Sequence, residues 1–478
     1  MLDVILIGAG VVGSLIARKL ASYELDVLVI DKENDVGNVT SMANSAIVHS
    51  GYDPKPGSKK AIFNVKGNAM FPKLCEELDV HYEQNGSLTV AIYEEQLEIL
   101  KELELRAKEN GVPVQLLTKE EVLKMEPNLS PEVKGALLAP TAGIVNPFTL
   151  PVHAMENAVD NGVKLHLGEE VLSINKINDG FEVITNKNKY EAKVVINAAG
   201  VYSDKIHAMI EPIDYSIEAR KGEYFVLDHY GEQLVNHTIF PLPSAKGKGI
   251  LVAKTTSNNF IVGPSSEPDP DKEDVSTDKA TLDNIRKQAT LLVPNIPFNQ
   301  VIRSFSGLRP TPSTHDFIIE PSKSYPNFIN ASGIESPGYV SSPAIAEYVV
   351  DELVSKVLKL NKKANFNPYV RKRVHLNELS LEERNKLIKE NPDYGVIICN
   401  CEKVSLGEIK DELSRSVPPH TIKAMKKRTR AGFGKCQSGF CQPLVLKEIA
   451  HKFNIPLNDV LYDKNESFIA HYNTKSED

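Results

Sequence analysis

A glycine pattern near the start of the chain restricts its fold more than any other feature. Gly8, Gly10 and Gly13 form G-x-G-x-x-G directly after an apolar run, Leu2 to Ile7, and open an amphipathic stretch, Val11 to Ser22. The three glycines serve a tight turn, close approach of backbone to a pyrophosphate, and close packing of helix on strand. Amides at the helix start then face the phosphates. A second apolar run, Asp26 to Ile30, leads into Asp31, 21 residues after Gly10. A carboxylate there is placed to accept from ribose hydroxyls. Strand, glycines, helix, strand and terminal acid agree on a βαβ unit that holds a dinucleotide. These residues alone do not choose between a flavin and a nicotinamide.

The chain is much longer than one such unit. Its 478 residues suffice for about three domains. With 41% hydrophobic and 25% charged residues it can bury a substantial core. A formal net charge of -8 argues against a nucleic-acid binder, which would show a basic balance. No apolar run approaches the roughly 18 residues of a spanning helix. The apolar N-terminus has no basic segment before it, unlike a secretory leader. The reading is cytoplasmic and without a transmembrane segment; peripheral contact with the inner face of a membrane and oligomerisation stay open.

Beyond the βαβ unit, a loop rich in Ser, Asn and Gly spans residues 37–58. Helical periodicity marks 95–110, 119–126, 147–162 and 343–358. Strands are expected at 171–174 and 181–185, flanking the Asn-Asp-Gly turn, and at 193–199, 223–227, 250–253, 260–262 and 327–331. Residues 359–394 are polar and basic and read as a linker.

Several segments in order resemble the D-amino-acid-oxidase-type flavoprotein superfamily. They are IGAGVVG with Asp31, TSMANSAIVHSGY (40–52), NAAGVYSD (197–204), GLRP (307–310) and GIESPG (333–338). The resemblance implies FAD in an extended pose. It places Thr40, Ser41 and Asn44 along the diphosphate and flavin. The backbone of Val171 would face the adenine, and Gly200 with the loop from Gly333 to Gly338 would complete the cradle. Asp31 replaces a more frequent Glu. Flavin chemistry needs a base for a heteroatom proton and cations for an anionic substrate. The resemblance nominates His49 as base and Arg309 as the substrate-holding guanidinium, whose planar fork suits bidentate anion capture. Lys221, Lys246 and Lys248 are looser cation candidates. Tyr52 and Tyr224 are expected to pack, with hydrogen bonding to substrate as the alternative.

Four of the five cysteines lie in the last fifth of the chain. Cys399 and Cys401 form C-x-C, Cys436 and Cys441 form C-x4-C, and 34 residues separate the pairs. Two close thiolate pairs fit a 2Fe–2S cluster, each pair on one iron. The single residue inside C-x-C counts against zinc, whose pairs are usually more widely spaced. Residues 395–450 resemble the bacterioferritin-associated-ferredoxin-like 2Fe–2S domain. Lys426, Lys427, Arg428 and Arg430 would bring positive charge to an anionic cluster, or form a solvated basic face. Asn400 and Ser438 stand where such domains often carry arginine and glycine. Cys75, on the helical stretch FPKLCEEL, is expected to be buried packing.

The two resemblances together are similar to the anaerobic-type glycerol-3-phosphate dehydrogenases. The expected class is α/β: a Rossmann-like FAD-binding domain with an interleaved mixed-sheet α+β substrate domain, plus a small helical C-terminal 2Fe–2S domain. The oxidoreductase covers 1–358, with FAD-binding segments near 1–80, 140–214 and 310–358, and substrate-domain segments near 81–139 and 215–309. The linker (359–394), the 2Fe–2S domain (395–455) and a tail (456–478) follow. Relatives of this type imply a small anionic substrate, sn-glycerol 3-phosphate, and an electron-accepting partner protein or quinone. Lys254 to Asn259 departs from their pattern, so substrate contacts do not transfer from that loop. An L-2-hydroxyglutarate or amino-acid dehydrogenase on the same fold, and an electron-relay subunit without its own substrate, remain as alternatives.

Overall fold

The computed structural model describes residues 1–229, 233–243 and 249–470. Its first sheet grows from the βαβ unit. Leu2–Ile7 lies between Val27–Asp31 and Lys189–Asn197, parallel to both. Phe328–Ser332 and Lys164–Leu167 extend this parallel core outward on either side. The hairpin of Val171–Ile177 and Gly180–Thr185, and the short Ile318–Pro321, add antiparallel edges. The central strands are almost continuously apolar because both faces are covered. Val4, Leu6, Val27 and Val29 enter one core, under the helices Val11–Leu20, Lys59–Glu77, Thr149–Asp160 and Gly338–Glu347. Ile5, Ile7, Leu28 and Ile30 enter the other, with Phe181 and Phe328.

Helix Lys59–Glu77 contains Gly67 and Pro72, which mask its periodicity in the sequence. Gly67 is needed there: a Cβ would collide with the carbonyl of Val340 on the neighbouring helix.

The second sheet has nine strands drawn from two stretches of chain, which is the expected interleaving. Ile217–Leu227 pairs with Val301–Pro312 along its whole length. Phe260–Gly263, Leu251–Lys254, Thr238–Pro241, Ser87–Ala91, Gly135–Ala139 and Gln115–Thr118 continue the sheet in that order. A three-stranded sheet of Ile47–Val48, Gly143–Val145 and Tyr82–Glu83 sits where the two portions join.

The C-terminal module folds a hairpin, Ile397–Cys399 with Val404–Ser405, and helices Leu406–Leu413, Ile422–Thr429 and Gln442–Phe453 around Ile409, Met425, Val445 and Ile449. No helix among the described residues is long and apolar enough to cross a membrane.

Segment 359–394 is not a free linker. Val370 N donates to Glu77 O at 3.1 Å, and Arg18 Nη2 donates to Pro368 O at 2.9 Å. Arg373 is buried on Glu156 and Glu412, at 2.6 Å from each. Part of the expected tail is likewise packed: Val460 is fully buried, and Lys423 pairs with Asp463.

Two buried charge clusters dock the C-terminal module. Lys427 and Arg428 both reach Asp35, in the loop after Val27–Asp31, at 2.5 and 2.7 Å. Arg415 joins Arg373 on Glu156 at 2.9 Å. The reading of Lys427 and Arg428 as cations beside a cluster, or as a solvated face, is therefore corrected. Their ridge of the helix turns toward the glycine-loop domain, where an acid receives it. Burial works against ionisation of Asp35, but the charges of Arg428 and Lys427 outweigh it and hold the carboxyl well below its usual range. That stabilisation is present above the unfolded carboxyl value near 3.8 and is lost as pH falls toward the lower folded value. Asp35→Asn strands two buried cations, so unfolding in urea should show a loss of about 3–5 kcal/mol. Proteolysis within 359–394 should accelerate in parallel.

Candidate functional site

The glycine loop is shaped by crowding. Gly8 has φ +107°, and a Cβ there would strike the carbonyl of Ala198. A Cβ on Gly13 would strike the carbonyl of Gly8. Gly10 is the N-cap, its carbonyl accepting from Ser14 N at 2.8 Å, and Ser41 Oγ supplies the side-chain acceptor it lacks, taking Val11 N at 2.8 Å. Asp31 ties the loop to its own strand, accepting from Ala9 N at 2.6 Å and Glu33 N at 2.8 Å. Burial pushes its carboxyl up to about 6. Glu169 N donates to Asp31 O at 2.9 Å, which brings Val171 beside the same acid.

Gly200 follows the strand Lys189–Asn197 with φ +56°, and no atom lies within 4 Å of where a Cβ would be. The loop from Gly333 to Gly338 follows Phe328–Ser332. Its Glu335 is held by Lys60 at 2.7 Å and by the Thr311 hydroxyl at 2.8 Å. Every one of these loops therefore leaves the carboxyl end of a parallel strand, the crevice where open α/β sheets bind ligands. The tight glycine turn, the ribose-placed acid and the open space at Gly200 fit an extended dinucleotide.

The 40–49 segment crosses from this crevice to the second sheet. Thr40 Oγ1 donates to Leu308 O at 2.7 Å, and Asn44 bridges the carbonyls of Thr40 and Ser41 to Ala46 N. These side chains hold the backbone of the segment in place. His49 is half-buried, its ring centroid 5.7 Å from that of Phe240. Its carbonyl accepts from Asn64 at 2.6 Å and Asn68 at 3.2 Å, which fixes the backbone behind the ring.

One face of the long strand pair looks onto this segment. Residues directly opposite in an antiparallel pair share a face. Arg220 opposes Arg309, Gly222 opposes Gly307 and Tyr224 opposes Phe305. The Tyr224 hydroxyl meets Ser45 Oγ at 3.0 Å, and a Cβ on Gly307 would strike the carbonyl of Ala43. Arg309 therefore faces the ligand segment. Its guanidinium donates only to Ser265 O at 3.1 Å and Ser266 Oγ at 3.4 Å, with no carboxylate within 4.0 Å among the described residues. Arg220, which the sequence alone does not single out, adds a second guanidinium and is paired only loosely with Glu218 at 3.6 Å.

Lys221 points to the opposite face. It is locked between Asp269 at 2.7 Å and Asp274 at 2.6 Å and is not a substrate cation. Lys246 and Lys248 lie outside the described residues. Tyr52 is core, its hydroxyl on Thr89 at 2.6 Å, whereas Tyr224 is stacked on Phe305 at the ligand face. Cys75 is buried, and burial raises its thiol to about 12, so it is inert packing.

The four C-terminal cysteines converge. Cys401 Sγ lies 3.6 Å from Cys436 Sγ, and Cys399 shares a hydrogen bond with Cys441. Each close pair thus joins one member of C-x-C to one of C-x4-C, because the hairpin and the later loop face each other. No set of three or more His, Cys, Asp or Glu among the described residues gathers around a single ion point. Two separate pairs are what a two-iron cluster asks for. The hydrogen bond from Cys441, with backbone N–H groups of Glu402, Gly432 and Cys401, lowers the Cys399 thiol to about 6, although burial opposes it. The Cys401 and Cys441 thiols are pushed up instead, Cys441 by the hydrogen bond it shares with Cys399 and by burial.

Lys403, Arg430, Gln437 and Ser438 all take positive φ around this site. At φ +76° Ser438 shows why glycine is usual there. Asn400 is exposed. Arg430 is spent on Glu402 at 2.7 Å and on Asn259, in the departing 254–259 loop, at 3.0 Å. That loop thus contacts the cysteine module. Lys426 Nζ is buried without a hydrogen-bond partner and lies 4.7 Å from the Phe433 ring centroid. Phe433 in turn stacks on Phe148 of the first portion at 5.1 Å. Sequence offers no signal for that aromatic seam, or for Asp35 and Glu156, because each needs a partner hundreds of residues away.

Residues 3–352 match the family model of FAD dependent oxidoreductases. The chain belongs to this family. Residues 397–451 match the BFD-like [2Fe-2S] binding domain, so this FAD-dependent oxidoreductase also carries a 2Fe–2S domain. It is 45% identical to a glycerol 3-phosphate dehydrogenase of Caloramator mitchellensis, over 100% of both chains. The FAD-bound L-alpha-glycerophosphate oxidase of Mycoplasma pneumoniae is similar in structure, with a TM-score of 0.74 and 31% identity. That match covers 77% of this chain and 98% of the oxidase. One component of the anaerobic glycerol-3-phosphate dehydrogenase of Haemophilus influenzae is 25% identical, covering 92% of this chain and 83% of the relative.

Two outcomes are expected. FAD retention should weaken as pH falls through about 6, where Asp31 loses the charge that accepts from Ala9 N and Glu33 N and shapes the glycine loop. Asp31→Asn should hold FAD roughly tenfold more weakly, with no such pH step, as read by fluorescence of released flavin. Cys401→Ser should lose bound iron and sulfide in chemical assay; full retention would overturn the ligand set.

Proposed function

We propose that the chain oxidises sn-glycerol 3-phosphate to dihydroxyacetone phosphate and passes the electrons through its 2Fe–2S domain to a partner protein or quinone. The observation that carries this reading is the pair of guanidiniums on the ligand-facing side of the long strand pair. Like charges directly opposite on a sheet repel, and Arg309 has no carboxylate within 4.0 Å to offset this among the described residues. A phosphate between Arg309 and Arg220 removes the repulsion and receives a bidentate clamp. The glycerol 3-phosphate dehydrogenase and oxidase relatives support the same substrate.

Bound FAD would supply the two-electron acceptor for a hydride from C2 of the substrate. The protein's share is to hold and to deprotonate. Arg309 and Arg220 fix the phosphate end. Tyr224, held between Ser45 and Phe305, walls the face. The His49 ring takes the C2 hydroxyl proton as the hydride leaves, so the alcohol gives up one proton and one hydride and becomes the ketone. Asn64 and Asn68 hold His49 by its carbonyl, and the Phe240 side of the ring faces an apolar cluster that limits water. Cys399, Cys401, Cys436 and Cys441 would hold the cluster, which would supply a one-electron exit.

Anaerobic addition of glycerol 3-phosphate should bleach the flavin band within the turnover time. A flavin that dithionite reduces but glycerol 3-phosphate does not would overturn the substrate and move the test to hydroxy acids and amino acids. Arg309→Lys should raise KM roughly ten- to a hundredfold, the worth of a charge-assisted bidentate contact. His49→Gln should instead lower kcat about 10²–10⁴-fold with KM little changed, as loss of a general base does.

A further inference from the structure

The cysteine module is buried on one side and bare on the other. Cys399 and Cys441 are buried, whereas Cys401 is exposed. Phe440, the residue before Cys441, is 82% exposed, more than any other large apolar side chain among the described residues. Leu444, one helical turn on, is 41% exposed. An aromatic ring standing in water beside a redox site has the character of an interface anchor.

Two cations flank the cysteines in the sequence. Lys403 and Lys435 are both exposed, and neither makes an ion pair or side-chain hydrogen bond among the described residues. Both lie close to the sulfurs: Lys403 is two residues after Cys401, and Lys435 joins Cys436 to Gly434, which packs on Cys401 Cβ. Within 399–404 and 430–444 the one carboxylate is Glu402, and it is buried on Arg430. This local positive rim stands out on a chain whose net charge is -8. Complementary charge of that kind steers an oppositely charged partner and sets its on-rate.

We propose that this face is the docking site of an acidic one-electron carrier protein, with Phe440 and Leu444 against an apolar spot on it and Lys403 and Lys435 against its carboxylates. The inference rests on the reading that electrons leave through the cluster. Each docking oxidises the reduced cluster by one electron and reduces the carrier by one, so two dockings remove the pair delivered by one substrate. Electron-transfer contacts are small and short-lived, and one exposed ring with two lysines is of that scale.

The test uses the holoenzyme, reduced anaerobically with dithionite so that substrate plays no part. It is mixed by stopped flow with acidic cytochrome b5 or with basic cytochrome c as the probe carrier, at increasing salt. The second-order rate to cytochrome b5 should fall steeply with salt, and that to cytochrome c should not fall. Lys403→Glu with Lys435→Glu should slow cytochrome b5 about tenfold or more at low salt and reverse the salt dependence. Phe440→Ala should slow it at every salt concentration. Iron and sulfide content and flavin bleaching by glycerol 3-phosphate should be those of the parent. If the reversed pair loses the cluster, Lys403→Gln with Lys435→Gln replaces it, with a smaller slowing in the same direction. A cytochrome c rate that falls with salt, a cytochrome b5 rate indifferent to these substitutions, or transfer confined to quinone in vesicles would overturn the proposal. Failure of flavin bleaching alone would instead overturn the substrate reading.

Discussion

Pairing of Leu2–Ile7 with parallel neighbours on both sides is the constraint from which the rest follows. It sends the chain out of the sheet at one edge after Ile7, Asp31 and Asn197, and again after Leu167 and Ser332. The glycine turn, the acid, the open corner at Gly200 and the Gly333 loop are neighbours only because their strands share a direction. Crowding does the rest. Gly8, Gly13 and the carbonyl of Ala198 are so close that one methyl group would break the turn.

Charge plays the complementary part, at the boundary between portions. The first portion is assembled by apolar burial, and its ion pairs are mostly peripheral. The seam to the cysteine module is different: Asp35 and Glu156 are buried acids, each receiving two buried cations. Buried pairs of this type add little net stability over an apolar seam, yet they punish misplacement severely. The seam therefore specifies how the module sits more than how firmly it sits. The stacked Phe148 and Phe433 lie in the same seam.

The legible parts of the sequence are those whose signal is local. The strand–glycine–helix pattern, the apolar strand runs of the second sheet and each of the two close cysteine pairs occupy a few consecutive residues, and the structure has each. Helix Lys59–Glu77 is hidden in the sequence because Gly67 serves helix contact and not helix propensity. Lys427 and Arg428 read as a solvated or cluster-facing patch because Asp35 is nearly four hundred residues away. Lys221 reads as a solvated lysine or a loose cation candidate, but strand alternation turns it from Arg309's face toward Asp269 and Asp274. The pairing of cysteine sulfurs is hidden for a similar reason: spacing gives neighbours along the chain, not across a hairpin. Arg220 carries no signal of its own because only register shows that it opposes Arg309.

The long separation between Asp35 and its partners bears on how the molecule is made. During synthesis, Asp35 and Glu156 leave the ribosome long before Lys427, Arg428 and Arg415 exist. Both carboxylates wait in water, hydrated and harmless, while the first portion collapses around its apolar sheet. The last joining event removes charges from solvent and adds comparatively little to the core. Early assembly of this chain is thus governed by hydrophobic collapse, and its completion by ionic attraction that dissolved salt weakens over a length of about 8 Å. A change in ionic strength acts on the second stage and leaves the first almost untouched.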